Sequence, residues 1–110
     1  MVVVIFEVEP KPDRAPDYLD MAASLKAELE QIDGFISIER FASLTNPDKI
    51  VSLSFWRDEA AVERWRAQER HRRAQARGRS ELFADYRITV AAVLRQYGLS
   101  NRAQAPQPRP

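Results

Sequence analysis

Hydrophobic and polar positions along this chain change period repeatedly, and each change marks an element. Residues 2 to 9, VVVIFEVE, are β-branched and aromatic with no helical spacing, which predicts a strand of about eight residues. Val2, Val4, Phe6 and Val8 fall on one face, and Val3, Ile5 and Glu7 on the other. Two apolar faces imply cover on both sides. Glu7 then needs a partner, a proton or water, unless it reaches solvent near the strand end. Pro10, Pro12 and Pro16 exclude helix and central strand from PKPDRAP. From Asp17 onward Leu19, Ala22, Ala23, Leu25, Leu29 and Ile32 recur at steps of three and four, predicting a helix that Gly34 closes. Tyr18 and Met21 border either core or pocket, and helical spacing favours core.

FISIERFASL, Phe35 to Leu44, predicts a second strand, with Phe35, Ser37, Glu39 and Phe41 on one face and Ile36, Ile38, Arg40 and Ala42 on the other. Asn46-Pro47-Asp48 is a turn, and Lys49 to Trp56 alternates as a third strand antiparallel to the second. Asp58 is placed to cap a second helix with Glu59 in its first turn. Ala61, Val62 and Trp65 form one face of that helix, whereas Ala67, His71, Ala74, Gln75 and Gly78 form another. On a continuous helix Trp65 and His71 stand roughly 120° apart. A bend or break between Arg66 and Arg70 is therefore expected, letting both address one space. A turn from Glu81 to Asp85 leads to a fourth strand, Tyr86 to Tyr97, and the Gln-, Arg- and Pro-rich residues 99–110 read as a mobile or partner-contacting tail after a domain of residues 1–98.

Strand, helix, strand, strand, helix, strand is the split βαβ, ferredoxin-like order of an α+β fold: a four-stranded antiparallel sheet with both helices on one face. The second sheet face needs cover that no third helix supplies. A second copy packed sheet to sheet, giving a homodimer, is the economical answer.

Composition narrows the function classes. The 110 residues fit one domain, and 45% hydrophobic with 30% charged content is that of a globular protein. A net charge of +1 gives no global field, and the basic run Arg64, Arg66, Arg70, Arg72, Arg73, Arg77, Arg79 is interleaved with Glu63 and Glu69. Both features argue against nucleic acid as a partner. Cysteine is absent, which removes thiolate catalysis and zinc–sulfur sites. MVVVIF is too short to span a bilayer and is not followed by a cleavage site, so no membrane partner and a cytoplasmic address are expected. Phe55 to Arg79 concentrates both tryptophans and the only histidine, which makes it the place to look for chemistry.

The element order, the GFIS opening of the second strand, the SFWRDEAAV transition and the W…H…AQ…GR…F..Y…V run together resemble the antibiotic biosynthesis monooxygenase family over roughly residues 2 to 98. The resemblance implies a dimeric ferredoxin-like protein with one pocket per subunit between sheet and second helix. The family includes cofactor-independent oxygenases, heme-degrading enzymes and enzymes acting on quinols. In heme-degrading members a histidine on the second helix ligates iron, a tryptophan on that helix presses on the porphyrin and a first-strand asparagine faces the distal side. By position His71 resembles the ligand and Trp65 the tryptophan, while Glu7 stands where asparagine is expected and the Trp65–His71 interval is several residues shorter.

In the cofactor-independent members the substrate supplies the electrons, an ionised aromatic reacting with dioxygen in a dry pocket. Trp56 falls at a pocket tryptophan of that group, Ser52 where it has asparagine and Val62 where it has tyrosine. His71 as base, with Arg40 or Arg72 facing an oxyanion, would take their place. The resemblance thus nominates His71, Trp65, Trp56 and Glu7 as catalytic, and Ser52, Ser54, Arg40, Arg72, Gln75 and Phe83 as contacts to a small aromatic molecule. No cofactor is expected on this reading. The alternatives are heme held by His71, and a non-catalytic dimeric ligand-binding module in which Trp56 and Trp65 are core anchors.

Overall fold

In the computed structural model, which describes residues 1–75 and 82–106 but not the side chains of 70–75, the chain forms β1 (Val2–Pro10), α1 (Ala15–Glu30), β2 (Phe35–Ala42), β3 (Ile50–Trp56), α2 (Glu59–Gln75) and β4 (Phe83–Ala92). The four strands make one antiparallel sheet in the order β2-β3-β1-β4. This is the ferredoxin-like βαββαβ arrangement that the period changes predict. Both helices lie on the face of Val2, Val4, Phe6 and Val8. Leu29, Trp56, Ala61 and Val62 form one buried cluster there, and Val8, Tyr18 and Ala22 a second. Among the described residues no helix is long and apolar enough to cross a membrane.

Several expected boundaries move, each for a local reason. α1 begins at Ala15, two residues early, because Pro16 in its first turn lacks only an N–H that needs no intrahelical acceptor. Its buried stripe is Tyr18, Ala22 and Leu29, flanked by Met21 and Leu25, whereas Leu19 and Ala23 face solvent. The helix stops at Glu30, and the N–H groups of Gln31 and Ile32 cap it by donating to the carbonyls of Glu28 and Leu29. Gly34 instead serves the turn into β2 at φ 95°. β2 carries an irregularity between Phe35 and Ser37. That extra residue returns Phe35 to the face of Ile38, so its ring meets Trp56 edge to face at 5.3 Å. β4 starts earlier than expected, at Phe83, and ends at Ala92, opposite Val2. Beyond that β1 has only the carbonyl of Met1 to offer, and Val93 N–H takes it at 3.0 Å. Part of the expected turn, Glu81, lies outside the described residues.

The bend expected in α2 is absent. One helix runs from Glu59 to Gln75, with neither proline nor glycine to interrupt its ladder. Asp58 caps it as expected, Oδ1 accepting from Ala61 N–H at 2.9 Å. That bond, and next the Arg57 guanidinium, hold the Asp58 carboxyl below the usual range. Arg57 also pairs in a fork with Asp33, at 3.1 Å from each nitrogen, so one side chain ties the α1–β2 turn to the start of α2.

Gly34 sits at that junction. Its carbonyl accepts from Arg57 N–H at 2.7 Å, and a Cβ there would stand 2.7 Å from Ala61 Cβ. Gly34→Ala therefore combines a left-handed backbone with a clash against a fully buried residue. It should lower stability by about 1–3 kcal/mol, read as a shift in urea midpoint at unchanged slope.

Candidate active site

The sheet face under the helices is the floor of a cavity of about 530 Å³, a size suited to a small organic ligand. Strand register sets out this floor in rows. One row runs Arg40, Ser52, Phe6, Ile88 across β2, β3, β1 and β4, and the next runs Ile38, Ser54, Val4, Val90. Tyr18, Met21 and Leu25 of α1 and Val62, Trp65 and Arg66 of α2 make the roof and walls. Phe83 closes one end within an aromatic cluster, at 6.0 Å from Phe6, 5.7 Å from Tyr18 and 6.1 Å from Tyr86.

Trp56 is fixed at one side of this space. It is 2% exposed, and its indole N–H donates to Ser54 Oγ at 2.9 Å. The Ser54 hydroxyl reaches back toward the Val4 carbonyl at 3.5 Å. A buried indole N–H is thereby satisfied and the ring orientation locked. Trp56 is a core anchor and a cavity wall at once. Trp65 packs against the same core and lines the cavity from α2.

Charged groups at the cavity differ in how far they are already engaged. Arg66 faces Glu63 at 3.5 Å, and Asp85 Oδ1 accepts from the Tyr86 N–H at 2.9 Å. Arg40 is different: its Nε is sealed from solvent and has no hydrogen-bond partner.

Of the residues nominated from the sequence, Trp56, Trp65, Ser52, Ser54, Arg40 and Phe83 all line this cavity. Glu7 does not, which corrects its placement among catalytic groups. It pairs in register with Arg87 and Val51 on the opposite sheet face, because the period of two separates it from Phe6 and Val8. The side chains of His71, Arg72 and Gln75 lie outside the described residues. Continuity of α2 removes the bend that was to bring His71 beside Trp65. Tyr18, Met21, Phe6, Tyr86 and Ile88 also line the cavity, and the sequence reading passed over them as core or strand residues. Alternation along β4, which puts Tyr86, Ile88 and Val90 on one face, was the signal that would have found Tyr86 and Ile88, while Phe83 joins that face only through the irregularity opposite Glu9 and Pro10.

Glu7 has a structural task. Its carboxylate accepts from Arg87 Nε at 2.6 Å and Arg87 Nη2 at 3.0 Å, and lies 2.8 Å from Lys49 Nζ. The Arg87 bonds first, and Lys49 next, hold its pKa at about 2, down from 4.5. A depressed carboxylate stabilises the fold above its ordinary pKa and loses that contribution as pH falls through the folded value. The stability gap between wild type and Glu7→Gln should accordingly be full above pH 4.5 and close between there and about 2. Added salt should narrow it, since Arg87 is largely exposed. Chemical unfolding across that pH range reads both effects.

Fold and cavity together define a small α+β domain with a ligand-sized chamber roofed by two helices. The chain belongs to the antibiotic biosynthesis monooxygenase family, whose model matches residues 1–77. A jasmonate monooxygenase from Pyricularia oryzae is 47% identical over 93 residues, covering 84% of this chain and 43% of that protein. The chain thus spans less than half the length of that relative. Among solved structures, Rv0793 from Mycobacterium tuberculosis superposes with a TM-score of 0.74 at 21% identity, covering 88% of this chain and 98% of that one. The heme-degrader MhuD from the same organism, with two hemes bound in its active site, gives 0.72 at 16% identity, covering 89% and 100%. At these identities the structural likeness shows the fold.

Proposed function

We propose that this chain is a monooxygenase that oxidises a small aromatic or quinone-like molecule with dioxygen inside the cavity between the sheet and the two helices. The observation that carries the reading is the cavity itself: about 530 Å³, lined by Trp56, Trp65, Phe6 and Phe83, with Ser52, Ser54 and Arg40 gathered on β2 and β3. The similarity to a jasmonate monooxygenase supports the reaction class.

Dioxygen needs an electron-rich partner, and an ionised aromatic substrate supplies its own electrons. A ring-activated CH2 becomes a carbonyl, one oxygen atom stays in the product and the other leaves as water with the two hydrogens. The protein's share is to exclude bulk water, hold the ring against the indoles and favour the ionised substrate. Ser52 and the Arg40 guanidinium, which line the cavity, suit oxygen atoms of an anion.

Oxygen uptake with a panel of anthrones, dihydroxyaromatics and jasmonate, with and without added hemin, tests the proposal. Uptake matched by oxidised product is expected without hemin, and Trp65→Ala should lower kcat/KM about tenfold or more, equivalent to about 1.4 kcal/mol. Inactivity across the panel in a folded protein would point to the ligand-binding module. A Soret band abolished by His71→Ala, with activity only when hemin is present, would point to the heme reading.

We also propose a homodimer formed sheet to sheet, with residues 99–110 reaching the partner. Val3, Ile5, Val51, Leu53 and Phe55 form an apolar centre on the face that neither helix covers. Leu94 and Leu99, beyond β4, are 86% and 95% exposed. Sedimentation should give a dimer at micromolar concentration, and Leu53→Asp a monomer. A monomeric wild type would overturn the assignment.

A further inference from the structure

Arg40 poses a problem that the fold does not solve. A guanidinium whose Nε is shut off from water should be hydrogen-bonded, since a buried donor left unmet is costly and more so when charged. Three other arginines have carboxylate acceptors: Arg57 has Asp33 and Asp58, Arg66 has Glu63 and Arg87 has Glu7. Arg40 Nε has none, and the residue lines a ligand-sized cavity. Nε itself is sealed from that cavity as from water, so an anion brought by a ligand would be met by the outer nitrogens of the guanidinium.

The floor row specifies what that molecule looks like. Arg40 stands directly opposite the buried Ser52, and Phe6 and then Ile88 follow in the same row. Three strand spacings of about 4.8 Å put the cationic and apolar ends of this row about 14 Å apart. Polarity thus falls off in one direction, from guanidinium to hydroxyl to aromatic ring to aliphatic side chain. We propose that the cavity selects substrates bearing a carboxylate, which the Arg40 guanidinium and the Ser52 hydroxyl hold at the β2–β3 side while an apolar ring system extends toward β4. Arg40 is thereby a specificity-determining residue that binds a permanent charge, set apart from the carbon that reacts. The proposal rests on the monooxygenase reading for the word substrate. Its binding statement stands independently.

A matched pair of probes tests it, naphthoate and the uncharged, nearly isosteric naphthamide, followed through quenching of the two tryptophans. Wild type should bind the acid about tenfold tighter than the amide, the scale of one charge-assisted hydrogen bond. Arg40→Met should erase that preference while leaving amide binding within about twofold, and Arg40→Lys should keep part of it. Ser52→Ala should reduce it by a smaller factor. Equal binding of acid and amide by wild type would overturn the proposal, as would a preference that survives in folded Arg40→Met. An acid preference without oxygen uptake would keep the anchor and sink the oxygenase reading, and uptake without acid preference would do the reverse. If the anchor serves turnover, Arg40→Met raises KM for acidic substrates far more than it lowers kcat.

Discussion

A pleated strand sends successive side chains to opposite faces, and in this protein that rule decides which groups can meet a ligand. β1 and β3 sit side by side at the centre of the sheet, so their alternation governs both faces at once. Phe6, Ser52, Ser54 and Trp56 go under the helices, while Glu7, Val51, Leu53 and Phe55 go to the other side. A shift of one residue in either strand would exchange the two sets. The Lys49–Glu7–Arg87 ion pairs on the uncovered face and the aromatic cluster around Phe83 on the covered face both favour the observed register. Register is therefore the condition on which the cavity depends.

Two devices hold the helices over that face. Arg57 links Asp33 to Asp58, and Gly34 lets the α1–β2 turn approach Ala61 closely. Both lie at one end of the sheet, beside Trp56. At that end the roof is clamped by Leu29, Ala61 and Val62, whereas Tyr86, Ile88 and Val90 line the cavity and still keep 40–52% exposure. The cavity floor is thus least covered at the β4 side, away from the clamp. Binding energy on such a floor comes mostly from apolar contact, and direction comes from the few polar groups at its far side.

Element order, sheet topology and the Asp58 cap were legible because each rests on local chemistry: period two, period three to four, and one side-chain oxygen near free N–H groups. The cavity residues named from the sequence came mainly from the family resemblance, and period two agrees with it at Arg40, Ser52, Ser54 and Trp56, which share the face under the helices. The sequence misled where distant contacts decide. Glu7 looked like a buried carboxylate seeking a chemical role, but Arg87 lies 80 positions away and no local pattern joins them. The bend expected in α2 rested on the angle between Trp65 and His71, and the helix itself contains no proline or glycine that would bend it. Gly34 was read as a helix stop because the close approach of Ala61 appears only once α2 is docked.

Trp56 and Arg40 show how one cavity divides structure from selection. Trp56 is buried, hydrogen-bonded and in edge contact with Phe35, so any change there disturbs core and site together and its effects on activity cannot be separated from folding. Arg40 is on the edge strand β2, contributes to neither buried cluster, and leaves a donor unmet inside the protein. A residue outside both buried clusters that costs desolvation is out of place in a structure selected for stability alone. An anion held as proposed would offset that cost. Trp56 and its neighbours build the chamber, and Arg40 is the proposed source of its selectivity.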